Sequence, residues 1–407
     1  MNDKVVSDSP EQAEFRAYCR EWVSKNKPGP FKGVTTTTAH PRINSQAYQD
    51  YLVGWLNSAY KGGLVGCDYP KEYGGGGRTD CQRIANEEMQ RVATPMFPSI
   101  TALRFAAATI LEHGTEFLKK RFIPKMLSGE ELWSQGFSEP NAGSDVANQE
   151  TFAEKKGDYW VINGQKVWTS FAEWGEWMIL LARTDRSHKH KGLTYFCVPI
   201  TSELGKSVEV RPLIKLDGSA GFYEEFFKDL TVHDKYRLGD VGEGWAVAMT
   251  TLKFERGAGD LVEPAAGGWV PAAPQKAGSK PPEAPIISLA RNTARHGKTA
   301  ADDPAIRDRI MEVLIRQTGF QQTMRRGGVK GLLDHPARIP MQFKLVDSEI
   351  PQDMAQLGME IQGAASTMWG SWAGQFMGSF AMTIAAGTSE IQRNQIGERV
   401  LGMPKSR

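Results

Sequence analysis

Three short stretches of this chain carry side chains that could do chemistry. The first is Phe254-Glu255-Arg256, which closes the helical pattern WAVAMTTLKFER. A glutamate at a helix end is ordinarily solvated, with an arginine as its surface companion. Here the preceding turns, WAVAMTTL, are apolar and should face a packed interior, so Glu255 is expected to be partly desolvated, with a raised pKa. Such a carboxylate suits proton abstraction from a weakly acidic carbon. The second stretch is SEPNAGSD, where Ser138 and Ser144 flank a Pro-Asn-Ala-Gly turn. The turn offers backbone N–H groups and hydroxyls to a ring edge or a phosphate, though any strand-to-loop turn uses the same residue types. The third is VWTS: Trp168 offers a flat face and Thr169 and Ser170 offer hydroxyls, while a strand tryptophan is commonly plain core. Arg295, in LARNTARHGK, could pair with a diphosphate or simply be solvated surface.

The elements that must position these residues follow from periodicity. From Pro10 to about Leu132 apolar residues recur every three or four positions, as in EQAEFRAYCREWV and RIANEEMQRVA, and predict helices broken by turns such as YPKEYGGGG. After Trp133 come short runs rich in β-branched and aromatic residues, YWVINGQKVWTS, WMILLARTD, GLTYFCVPI and EEFFKDLTV, which predict strands. Helical periodicity returns from Glu243. The predicted class is α+β, with an N-terminal helical domain over 1–132, a β domain over 133–240 and a C-terminal helical domain over 241–407. A Pro-, Gly- and Ala-rich insertion, 262–285, reads as a loop.

Composition narrows the function class. The 407 residues include 49 basic and 47 acidic ones, a net charge of +2, which offers no field for nucleic acid and no basic run for a membrane surface. Cys19, Cys67, Cys81 and Cys197 are far apart and lack ligand spacing, so neither a disulfide framework nor a metal site is expected. The polar N-terminus and the lack of a run of ~18 apolar residues predict a cytoplasmic chain without a membrane span.

In chain order, WSQGFSEPNAGSD (Trp133 to Asp145), INGQKVWTS (Ile162 to Ser170), FYEEFFKDLTV and AAGTSEIQRNQI resemble the motifs of the acyl-CoA dehydrogenase family of flavoproteins, a resemblance that runs from about Phe15 to Pro404. It implies a middle β-barrel and a C-terminal four-helix bundle. It also implies FAD as cofactor and removal of the α proton of an acyl-CoA by a carboxylate, with the β hydride going to the flavin and the electrons then passing to an electron-transfer flavoprotein. By resemblance Phe137, Ser138, Gly143, Trp168, Thr169 and Ser170 bind the flavin, Ser144 lies near the flavin or the CoA phosphates, and Thr388 and Glu390 belong to an FAD-contacting turn.

One position departs from the pattern. Many relatives carry the catalytic glutamate just before the Gly-Thr of the last motif, where this chain has Ala386. The branch typified by isovaleryl-CoA and long-chain enzymes places its base on an earlier helix before an arginine, which here is Glu255 followed by Arg256. A backbone N–H at Ala386 would still bind the thioester carbonyl and leave room for a bulky or branched acyl group, with Arg256 on the substrate side. Arg295 matches an arginine that reaches a partner subunit's FAD, but its usual Phe and Gln companions are missing, and EIQGAAS, Glu360 to Ser366, matches the family's glycine-rich stretch poorly. These departures imply either a homo-oligomer with ordinary divergence or a heterotetramer with a related chain, in which this one need not be active alone. A flavin monooxygenase on the same scaffold is the third alternative.

Overall fold

A computed structural model of the chain describes residues 8–32, 46–99, 101–170, 172–218, 220–255, 284–326 and 339–405. They divide into two compact units, 8–255 and 284–405. Arg256 and the insertion up to residue 283 lie outside the described residues.

The first unit opens with helix α1 (Pro10–Asn26). The Ser9 hydroxyl accepts from Gln12 N at 3.2 Å, Gln12 Oε1 accepts from Ser9 N at 3.0 Å, and Pro10 occupies the first turn, a complete start signal. Phe15, Cys19 and Val23, four residues apart, form its buried stripe. Then come α2 (Gln46–Lys61), α3 (Gln82–Arg91), a π-helical turn (Thr101–Ala106) running into α4 (Ala107–His113), and α5 (Glu116–Ser128). Thr115 caps α5 and Gly129, at φ 77°, ends it in the left-handed region that glycine tolerates.

Eight strands follow: β1 (Trp133–Gly136), β2 (Phe152–Lys156), β3 (Tyr159–Ser170), β4 (Trp177–Arg183), β5 (Leu193–Pro199), β6 (Val208–Leu213), β7 (Phe222–His233) and β8 (Arg237–Leu238). They pair in the order β6-β7-β3-β2-β4-β5-β8, with β1 parallel to β4. The middle of the chain is therefore a sheet, and no sheet is closed among the described residues. Its two edges are β6 and β8, each with one partner, and the pairing between β2 and β4 is slight, Phe152 with Arg183 alone. Strand β4 is apolar from Trp177 to Ala182 and is buried on both faces. Ile179 and Leu181 join a core with the N-terminal helices, whereas Met178, Leu180 and Ala182 join Trp160, Phe196 and Leu230 on the other side. Helix α6 (Gly244–Glu255) packs in this unit, with Val247 and Ala248 in the same core as the N-terminal helices.

The second unit contains α7 (Pro285–Asn292), a small hairpin of β9 (Ala294–Arg295) and β10 (Lys298–Thr299), α8 (Pro304–Arg326), α9 (Ile339–Gln362), α10 (Ser371–Met382) and α11 (Ser389–Arg399). Helix α9 is its centre, in contact with α7, α8, α10 and α11. Gly358 lets the α10 ring of Trp372 approach: a Cβ there would stand 2.2 Å from Trp372 Cε3. Helices, strands, helices is the order read from the sequence. Among the described residues no helix is long and apolar enough to cross a membrane.

Candidate active site

The turn after β1 is held from below by one buried lysine. Lys166 Nζ donates to Glu139 Oε1 at 2.7 Å, Gln149 Oε1 at 2.7 Å and the Phe137 carbonyl at 3.2 Å, and is fully buried. Glu139 also accepts from the backbone N–H groups of Glu150 and Thr151 at 2.6 and 3.0 Å. Burial opposes its ionisation, but the Lys166 ammonium and these donors outweigh it and hold the carboxyl below the usual range. The result is a rigid base for the segment 138–144. The Phe137 ring packs inward, edge-on to Tyr195 at 5.7 Å between centroids, so only its backbone faces the turn. Ser138 is half-buried, while Gly143 and Ser144 are exposed.

Strand β3 carries a register shift between Lys166 and Thr169, and within it Trp168 adopts φ +66°, a left-handed conformation that is rare for a residue with a bulky side chain. The bulge turns Trp168 and Ser170 outward and Thr169 inward. Trp168 is 58% exposed, so it is not part of the core. The Thr169 hydroxyl donates to Glu225 Oε2 on β7 and lies 3.4 Å from the Gln135 carbonyl on β1, so its side chain serves the interior. Glu225 is fully buried, its Oε1 has no partner among the described residues, and burial pushes its carboxyl up to about 8.

Helix α6 is pinned to this strand cluster by two adjacent threonines. Thr250 Oγ1 is 2.8 Å from His113 Nε2, and Thr251 Oγ1 is 2.9 Å from the Tyr195 hydroxyl and 3.0 Å from Thr109 Oγ1. Glu255 lies one turn beyond Thr251 on the same face, half-buried, and Gln135 Nε2 donates to its Oε2 at 3.5 Å. A small cavity of about 110 Å³ opens nearby, lined by Ser99, Thr101, Phe105, Trp133, Ser170 and Trp174 among others.

The first unit thus brings Phe137, Ser138, Gly143, Ser144, Trp168, Thr169, Ser170 and Glu255 into one body. Arg295, Ala386, Thr388 and Glu390 belong to the second. There Ala386 takes φ +54° and its carbonyl accepts from Gln392 Nε2, and the Thr388 hydroxyl caps α11 by accepting from Ile391 N. Hydrogen bonding, including that from Thr388, holds the fully exposed Glu390 carboxyl below its ordinary range. Arg295 is turned to its own unit: Nε lies 3.2 Å from Asp303 Oδ2 and Nη1 donates to the Glu360 carbonyl at 3.3 Å. Glu360 to Ser366 ends α9 and continues as a tight 3-10 turn. Gln135, Glu139, Lys166, Glu225 and Thr251 escaped the sequence reading. Glu225 alone left a trace there, as a charge at an inward position of a strand whose other inward residues are Tyr223, Phe227, Leu230 and Val232.

A flavin fits this donor set. The hydroxyls of Ser138, Ser144 and Ser170 are not engaged by the described residues and the Trp168 indole is exposed, residue types that suit the polar rim and flat face of an isoalloxazine. Comparison with known proteins agrees. The chain matches the acyl-CoA dehydrogenase N-terminal domain over residues 9–130, the middle domain over 134–229 and the C-terminal domain over 285–401. It is 36% identical over 413 residues to the acyl-CoA dehydrogenase IpdE1 of Mycolicibacterium smegmatis, covering 97% of this chain and 98% of that protein. Among solved structures it is similar to the ChsE4-ChsE5 complex from Mycobacterium tuberculosis, at TM-score 0.72 and 24% identity over 98% of this chain and 99% of the matched one. It is equally similar to the Tcur3481-Tcur3483 steroid ACAD, at TM-score 0.71 and 24% identity over 100% of both chains. With all three domains matched and a relative aligned along its whole length, the chain belongs to the acyl-CoA dehydrogenase family of FAD-dependent oxidoreductases.

Proposed function

We propose that this chain dehydrogenates an acyl-CoA thioester to the 2-enoyl-CoA with Glu255 as the base. The observation that carries the assignment is the contact of Gln135 with Glu255, which ties the end of α6 to the strand leading into Phe137 and Ser138. Glu255 takes the α proton. When bound, FAD supplies the acceptor for the hydride that leaves the β carbon. Thr251, held by Tyr195 and Thr109, fixes the helical turn that carries Glu255. Trp168 offers its face to the flavin, Ser138, Gly143 and Ser170 its polar edge, and the backbone at Phe137 and Thr169 the remaining donors. Ser144 and Arg256 bind the CoA end, the Ala386 N–H binds the thioester oxygen, and Arg295, Thr388 and Glu390 contact FAD.

In this reading the domains run over 1–132, 133–240 and 241–407, with the sheet and the α9-centred helices as the barrel and bundle of the family. The substrate carries a bulky or branched acyl group. Ala386, which lacks a side chain beyond a methyl, and the neighbour described as a steroid ACAD support this. The cavity beside Ser170, at about 110 Å³, takes only a small part of such a group. Electrons pass to an electron-transfer flavoprotein. A second reading, that the chain is one subunit of a heteromer, is favoured by the internal engagement of Arg295 and by the complex among the structural neighbours. The test of the base is Glu255→Gln, which should retain FAD and lose anaerobic bleaching by a thioester that bleaches the wild type. Full reduction of that variant at the wild-type rate would sink the assignment.

A further inference from the structure

We propose that Glu225 is a positioning residue of the candidate site. Its carboxyl, buried beneath the β3 bulge, sets the Trp168–Ser170 segment through Thr169 and, through the same hydroxyl, engages β1 at Gln135. The inference rests on the assignment of that segment to FAD.

The geometry is specific. Glu225 stands opposite Lys166 in the ladder, and Lys166 and Thr169 flank the register shift, so one carboxyl lies beneath both ends of the bulge. The Thr169 hydroxyl is within reach of Glu225 Oε2 and, at 3.4 Å, of the Gln135 carbonyl. A hydroxyl has one hydrogen to give, so Thr169 donates to one of them at a time. When Glu225 is protonated, its hydrogen can go to Thr169 Oγ1 and the Thr169 hydrogen to the Gln135 carbonyl. When Glu225 is ionised, Thr169 donates to it and the carbonyl is released. Gln135 touches Glu255 by its amide, so both the flavin-facing bulge and the strand beside the base feel the exchange.

The charged and titratable groups around Glu225 are few among the described residues. Lys166 faces it from β3, with Glu139 on the far side of the ammonium. Two residues back on β7, Tyr223 donates to Glu173. From β6, Val210 stands opposite, and Glu209 and Arg211 pair with each other at the surface. Burial outweighs the lysine and pushes the carboxyl up to about 8, so the protonated arrangement prevails at neutral pH.

The test is FAD affinity of the full chain, followed by flavin fluorescence from about pH 6.5 to pH 9, for wild type, Glu225→Gln and Thr169→Val. Wild type should weaken about fivefold across that range as the carbonyl contact is lost. Glu225→Gln, which keeps an uncharged donor and acceptor, should bind within about twofold of wild type at pH 7 and stay flat to pH 9. Thr169→Val should bind about fivefold more weakly at pH 7 and also be flat. A wild-type pH profile in Glu225→Gln, or wild-type affinity in Thr169→Val, would overturn the inference. If wild type binds no FAD at any pH, the assignment of the segment to FAD fails, and this inference with it.

Discussion

Glu225 is a fully buried carboxylic acid with the Thr169 hydroxyl at one oxygen, and the cost of burying it should be visible as a pH dependence. Glu225 titrates at about 8 in the folded chain against an ordinary 4.5, because burial disfavours its charge. Below 4.5 both folded and unfolded states hold the proton, so the group contributes no slope. Between 4.5 and about 8 the unfolded state has lost a proton that the folded state keeps, so stability falls as pH rises, by roughly 1 kcal/mol per pH unit. Lys166, pushed down to about 8 by burial, acts in the opposite sense only above that pH. Glu225→Gln abolishes the first slope. Thermal melts from about pH 5 to pH 8 should show the variant gaining on wild type steadily with pH, and parallel curves would contradict the burial argument.

At the scale of elements, α6 is the part whose placement decides chemistry. An apolar helix can slide along a core, and polar contacts on its inner face fix its register. Thr251 supplies them, one turn before Glu255, through Tyr195 and Thr109. Thr251→Val keeps the shape and deletes the hydroxyl, leaving two buried hydroxyls short of a partner, a loss of about 1–3 kcal/mol. The variant should bind FAD as wild type does but be bleached by thioester at least about tenfold more slowly, because a base displaced by even an ångström abstracts poorly. Stopped-flow absorbance measures this, and an unchanged rate would show that α6 is held in register by packing alone. The β3 bulge works in the same way for the cofactor side: one extra residue aims Trp168 and Ser170 outward and stores strain at Trp168.

For the whole molecule the open question of partnership has a direct measurement. Residues assigned to FAD fall in both compact units, and Arg295, the residue expected to serve a neighbour, is tied to Asp303 and Glu360 of its own unit. The heteromer reading predicts a weak or absent flavin spectrum from the chain purified alone and its gain when a related acyl-CoA dehydrogenase chain is coexpressed. A stoichiometric flavin spectrum in the isolated chain, bleached by a steroid-derived or branched acyl-CoA but not by a straight-chain one, would instead establish a self-sufficient enzyme for bulky substrates. Absorbance with multi-angle light scattering separates the two.

Local patterns in the sequence determined the helix-strand-helix order and the family, and they marked Glu255 as the candidate base where Ala386 lacks an acid. Each of these depends on periodicity or on neighbours within a few residues, which the chain writes in order. Tertiary structure alone decided that β6 and β8 are the edges of the sheet, that Thr169 turns inward while Trp168 turns out, and that Lys166 and Glu225 lie buried beneath the bulge. Those facts arise from ladder register and from burial between segments far apart in sequence: Glu225 is 56 residues from Thr169, and Gln135 is 120 residues from Glu255. A one-residue bulge reverses which side chain turns outward, and no local pattern records it.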